Sequence, residues 1–492
     1  MQLPHRFERG PIMNEVTAIP VVPVFSGDTL AAAGTTPVAV RWTPLGRFGF
    51  RFAFCYLLIY AFACCGTLDL LPLIGRYITW GLSLAPLKPA VWLVQHRFHV
   101  TGVAAHLHPT GSGDTLIDWV ALGVMLVYAL AAALLWTAID RRRLEYRTAA
   151  AWLRFLLRLT LVFALASFGF VKFFPLQMAP PSLAVLNEPL GNTSPNTLLW
   201  TLIALHPGYE MIGGGAEVAA AVLLFFRRTA LTGALLAGFV MTNVLSFNVF
   251  FDVPLKIHAG HLLLFSIAIT VPDLRALFDF FWRRKPAAPT GVWVPPTERR
   301  TFRIATLVVD LMLLAHCLPF VLMSYRRDAR QRANLRHPSP LSGQWHIDSA
   351  TLTADGQTTP KPIPTGEGLP VPDIFMEPSG HVMLRDSSGV LWRADFEVDD
   401  KKHALHLFQE DHSILYNLAA PDPAHLVLTP TGKHASADGT LHLSRIPLPS
   451  HYPLLDRGFH LINEWGLERW HERTQKDTAL GWVRAQIYQL IR

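Results

Sequence analysis

Charged side chains are scarce in this chain: Asp, Glu, Lys and Arg make up 16% of its 492 residues, against 51% hydrophobic. A soluble globular domain carries about 25% charge, so that class fits poorly, and a mean hydropathy of +0.29 points the same way. Cysteine is rarer still. Cys55, Cys64, Cys65 and Cys317 all lie inside apolar runs with no CxxC spacing, which excludes a disulfide framework or a zinc ribbon. No haem, flavin or iron–sulfur motif occurs, so no intrinsic cofactor is expected and a redox role needs a partner to supply electrons. The net charge of +7 and pI of about 9.3 do not imply nucleic acid. The Lys and Arg residues gather in short loops between apolar runs, where a membrane protein keeps its orienting charge.

What is abundant is apolar sequence. Runs at 48–68, 115–137, 152–172, 208–226, 229–250, 256–272 and 303–323 each approach the ~20 residues that cross a ~30 Å hydrocarbon core as helix. Between the first two, the Trp-rich and proline-broken LPLIGRYITWGLSLAPLKPAVWLVQHRF suits an interfacial or re-entrant helix, as does the short NTLLWTLIAL at 196–205. The basic loops RRRLEYR (141–147), RR (227–228) and RRK (283–285) alternate with weakly charged loops at 173–197 and 251–256. The lipid bilayer is therefore the expected surrounding: a bacterial inner (plasma) membrane, with residues 1–47 a cytoplasmic tail and the C-terminal region external or periplasmic. The basic YRRDARQR at 325–332, on the external side of that scheme, disagrees with it.

From about Leu341 the texture changes to short alternating runs such as GVLWRADFEV and AHLVLTP, separated by Gly, Pro, Asp and Asn turns. The expected fold is thus a polytopic α-helical membrane bundle of about seven spans over 48–325, followed by an antiparallel β domain over 341–450. That domain is either a sandwich or a barrel of about eight strands. Its opening Gly343-x-Trp345 resembles the start of a lipocalin-like barrel, and the tail 451–492 contains an amphipathic stretch at 457–470.

An ionisable residue at mid-membrane costs at least ~2.5–3.5 kcal/mol and so faces a partner or a wet cavity. Glu217 is the clearest case. Glu210 and His206 precede it by seven and eleven residues, which at about 100° per residue places all three on one helical face. Glu217 either bonds a neighbouring helix or does chemistry. Lys172, at the end of the third span, either snorkels to the interface or belongs to a site. Asp252, Lys256, His258 and His261 follow in DVPLKIHAGH, and Asp114 and Asp118 open the second span. Together these groups suit a polar chamber for an anion, a quinone head group or protons. The pair His258 and His261 has metal-ligand spacing, but no third ligand falls at helical spacing, so no metal is expected. Asn243, Asn248 and Asp310 are expected to bond between helices, Arg154 and Arg158 to neutralise the cytoplasmic surface, and the run from Gly213 to Ala220 to allow close helix packing.

Three segments, SFGFVKF (167–173), GGGAEVAAAVLLFFRRTALTGALLAG (213–238) and NVFFDVPLKIHAGHLLLF (248–265), resemble the DoxX family of membrane proteins over roughly 150–280. GSGDT (111–115) and RGFHLINEW (457–465) look like long members that add a leading helix and a trailing β domain. The resemblance implies membrane redox chemistry: a subunit of a quinone-linked oxidoreductase, meeting quinone at the outer leaflet and working with a periplasmic or membrane redox partner. On that basis Lys172 and Glu217 are the expected catalytic pair, with Asp252, Lys256, His206, Glu210, Asp114 and His261 around the substrate. A more distant resemblance, to horizontally transferred transmembrane proteins that include vitamin K-dependent carboxylase, implies instead an enzyme with Lys172 as base acting on a lipid-soluble substrate. A non-enzymatic carrier or scaffold is the third reading, and no inverted repeat is visible to support a transporter.

Overall fold

Hydrocarbon offers no water to backbone N–H and C=O groups, so apolar runs of this length must bond internally as helices. The computed structural model describes residues 42–101, 113–286 and 339–456, apart from isolated positions and several loops of the C-terminal domain, with scattered positions between 304 and 333. The helices of the first part are α1 (Pro44–Cys64), α2 (Gly75–His96), α3 (Leu116–Ile139), α4 (Arg147–Phe173), α5 (Leu183–Leu186), α6 (Pro195–Ala204), α7 (Pro207–Phe225), α8 (Ala230–Phe250), α9 (Lys256–Thr270) and α10 (Leu274–Phe281). Among the described residues, six units are long and apolar enough to cross a membrane: α1, α3, α4, α7, α8 and the run Lys256–Phe281 that joins α9 to α10. The expected span at 303–323 lies largely outside the described residues, as do residues 1–41 of the N-terminal tail and the amphipathic stretch from 457.

Helix α4 is the centre of the bundle. Leu157, Leu161 and Leu165, one turn apart, are fully enclosed and belong to one apolar core with residues of α1, α7, α8 and α9. By contrast α3 exposes Trp119, Val127 and Leu135 on its outer face, as a lipid-facing helix would. The Trp-rich segment forms α2, which runs through Pro86 and Pro89 and is not among the spanning candidates.

Two arginines differ from the sequence expectation. Arg154 and Arg158 are each 4% exposed rather than lying on a surface. Arg154 donates to the Asp273 carboxylate at 2.7 Å and to the Ile269 carbonyl at 2.8 Å, joining α4 to the end of α9. The reason is length: α4 begins at Arg147, so both side chains fall well inside a helix enclosed by its neighbours. Near the same end Arg51 of α1 bonds the Tyr146 hydroxyl, the Thr137 hydroxyl and the Asp140 carbonyl.

The C-terminal strands are β1 (Gly343–Ala354), β2 (Gln357–Lys361), β3 (Asp373–Met376), β4 (His381–Arg385), β5 (Leu391–Asp399), β6 (Ala404–Gln409), β7 (His412–Asp422), β8 (His425–Thr431) and β9 (Thr440–Ile446). They form one antiparallel meander in which β1 also pairs with β9, so the sheet closes into a barrel-like form with β2 as a hairpin on the far half of β1. Closure removes the edges that open strands would expose. Alternate residues point inward and fill the middle: Trp345, Ile374, Phe396, Leu405, Tyr416 and Leu428 are all buried. Trp345 donates to the Leu341 carbonyl at 2.8 Å, and the Arg445 guanidinium lies 5.3 Å above its ring.

One carboxylate joins the two parts. Glu377, in the turn after β3, accepts from the amides of Leu183 at 2.9 Å and Ala184 at 3.4 Å, at the start of α5. Asn187, just past α5, donates to the Tyr452 hydroxyl at 3.2 Å. The β domain therefore sits on the connection between α4 and α6, at the Lys172 end of the bundle.

Candidate functional site

The site begins with two glycines. A Cβ at Gly169 of α4 would lie 3.0 Å from the Gly214 carbonyl oxygen, and one at Gly214 of α7 would lie 2.6 Å from the Gly169 carbonyl oxygen. Only glycine permits that approach, and it brings the backbones together where α4 ends. Gly213 and Gly215 of the same run meet almost nothing, so one glycine of the three makes the seam.

One turn past each glycine stands a charge. Lys172 donates to both oxygens of Glu217, at 2.7 and 2.9 Å. The Glu217 side chain is 1% exposed and that of Lys172 13%. Such a pair offsets the desolvation of each charge only with good geometry, and losing one partner would strand the other. The Lys172 ammonium also lies 5.7 Å from the Phe168 ring centre, one helical turn back.

The pair lines a cavity of about 330 Å³ between α4, α6, α7, α8 and α9, whose walls include Phe168, Trp200, Phe247, Asn248 and His258. Its lining does not include Asp252 or Lys256. Those two pair with each other at 2.8 Å, and the Asp252 side chain is 82% exposed. His206 is likewise exposed, at the cap of α7, while Glu210 is buried and accepts from the Gln177 and Met178 amides at 3.0 and 3.1 Å. Glu210 thus holds the chain leaving α4, beside the cavity wall at Gln177 and Met178.

Asp114 has a positioning role. Its carboxylate takes the Lys256 and Ile257 amides, the first two of α9, and so caps the helix that carries His258 and His261. Asp118 forms a capping box with Thr115 at the start of its own helix. His261 is a pin between helices: Nε2 meets the Tyr56 hydroxyl at 2.7 Å, Nδ1 the Ile257 carbonyl at 2.6 Å, and Tyr60 stacks on the ring at 3.5 Å. Asn248 donates to the Leu255 carbonyl at 3.0 Å, bracing the turn between α8 and α9 rather than bonding another helix. No three metal-ligating side chains cluster among the described residues.

A second cavity, of about 360 Å³, lies across the Phe168, Leu255 and His258 walls, lined also by Tyr60, Cys64, Asp114 and Asp118. Phe168, Trp200 and Phe247 were not among the expected site residues, since an aromatic in an apolar run carries no signal that separates a cavity wall from core.

No established family profile matches this sequence, and no solved structure matches its fold. Among curated proteins it is similar to YwoB, an uncharacterised protein of Bacillus subtilis (strain 168), with 30% identity over 90 residues. The match spans 18% of this chain and 58% of YwoB's own length.

Proposed function

We propose that this chain is a DoxX-like integral membrane protein that binds a quinone-type head group in the Lys172–Glu217 cavity, as one component of a quinone-linked oxidoreductase. The observation that carries the reading is the bidentate ion pair itself, enclosed at the wall of a cavity with aromatic sides. Charged pairs are costly inside a membrane protein and mark functional sites there. An ammonium can donate to a ligand carbonyl, and the carboxylate beside it can pass on one of the two protons that a quinone takes up on reduction. The electrons come from a partner protein. A lysine acting as a base would first have to release Glu217, which favours the ligand-binding reading over the lysine-base enzyme.

In this reading the chain crosses the bacterial inner membrane with its N-terminus in the cytoplasm. The arginine-rich connections 141–147, 227–228 and 283–285 face inward, and the Lys172 end of the bundle and the β domain face the periplasm. The carrier alternative predicts no quinone affinity.

The test is decylubiquinone binding to the purified protein, followed by quenching of tryptophan fluorescence with a Trp200→Phe variant as control. Binding that weakens at least about tenfold in the charge-neutral double variant Lys172→Met/Glu217→Gln supports the site. No binding, or equal binding by that variant, overturns it.

A further inference from the structure

His258 stands apart from the other polar groups near the site. Every other histidine or carboxylate of the α9 end has its partners: His261 is bonded at both nitrogens, Asp114 caps α9, and Asp252 pairs with Lys256. The Nε2 atom of His258 is shut off from solvent and meets no hydrogen-bond partner among the described residues. A buried polar atom left unmet costs about 1–3 kcal/mol and calls for an explanation.

Its position supplies one. His258 lines both cavities, and its ring packs edge to face against Phe168 with centres 5.6 Å apart. Phe168 has the Lys172 ammonium on its other contact, at 5.7 Å. The same aromatic ring therefore touches both the imidazole and the lysine of the ion pair, and all four side chains line one cavity. Asp114 fixes the first turn of α9 and with it the place of the imidazole.

We propose that His258 is the second polar contact of the site. Lys172 and Glu217 hold one oxygen of the ligand ring, and its opposite oxygen bonds Nε2 of His258 across the cavity they share. The ligand class this selects is a six-membered ring with oxygens at opposite edges. The proposal rests on the quinone-type reading above and adds a residue to it.

The experiment compares two probes on the full-length protein: decylubiquinone, with oxygens at both ends of the ring, and 4-decylphenol, with one, measured by competition. His258→Phe keeps an aromatic ring and removes the nitrogens, and His258→Gln restores a polar atom. The expected result is that His258→Phe weakens decylubiquinone about tenfold and 4-decylphenol by no more than about twofold, with His258→Gln recovering most of the loss. Equal weakening of both probes identifies a packing role and overturns the proposal. Unchanged decylubiquinone binding by His258→Phe overturns it too, but leaves the ion-pair site standing if Lys172→Met/Glu217→Gln still loses affinity. If that double variant binds normally, the site reading itself fails.

Discussion

Gly169 and Gly214 face each other across the seam between α4 and α7, each one residue type away from colliding with the other's carbonyl. The contact sets the spacing at which Lys172 and Glu217 meet. Gly214→Ala should therefore cost about 1–3 kcal/mol through backbone displacement, while Gly213→Ala, with nothing within 4 Å of its Cβ, should be nearly silent. Thermal unfolding in detergent separates the two, and equal Tm values for them would remove the seam as the cause.

The ion pair should behave as a unit. Removing Lys172 alone, as Lys172→Met, leaves a buried carboxylate and should cost about 3–5 kcal/mol, whereas adding Glu217→Gln should recover much of that loss. A double-mutant cycle on unfolding in denaturant measures the coupling. Additive effects would mean that the charges do not depend on each other.

At the opposite end of α4, Arg154 and Asp273 make the corresponding test of location. Arg154→Met should destabilise by a comparable about 3–5 kcal/mol, because Asp273 is 3% exposed. It should leave decylubiquinone affinity unchanged, since neither residue lines either cavity. A loss of affinity at constant stability would place the ligand elsewhere.

The docking of the β domain should depend on pH. Burial raises the Glu377 carboxyl above the ordinary glutamate range, outweighing the two amide bonds that lower it. The docked form therefore binds the proton more tightly than the free form. Docking is then strongest at low pH, weakens as pH rises from about 4.3 through the raised value, and is level above it. Spin labels at the exposed Leu190 and Leu415 should report distances that broaden over that interval. The broadening should vanish in Glu377→Gln, and its persistence there would assign the effect to another group.

The apolar runs gave the spanning helices away because hydrocarbon length leaves a mark on sequence that soluble packing does not. The alternation after Leu341 was equally plain, and closure by β1 and β9 was not, since strand order leaves no periodic trace. At the site, Lys172 and Glu217 were legible as ionisable residues in apolar helices, whereas Gly169, which brings the helices together, was not singled out. The separation of Asp252 and Lys256 from the cavity was not legible. Helical spacing places residues on a face of their own element and says nothing about which neighbour that face meets. Arg154 was misread for the same reason: its partner Asp273 is 119 positions away.

The Glu377 contact also orders the making of the protein. The amides of Leu183 and Ala184 leave the ribosome 194 and 193 positions before the carboxylate that caps them, roughly 10–40 s of synthesis. Throughout that interval α5 has only its own N-cap, Ser182, whose hydroxyl accepts from the Val185 amide at 3.2 Å, and the stretch of chain between the ends of α4 and α6 is held by Glu210 alone of the two carboxylates that fasten it. The β domain, made after the helices, thus fixes a segment beside the cavity that those helices have already enclosed, so a chain truncated before β3 would carry the ion pair but not its finished surroundings.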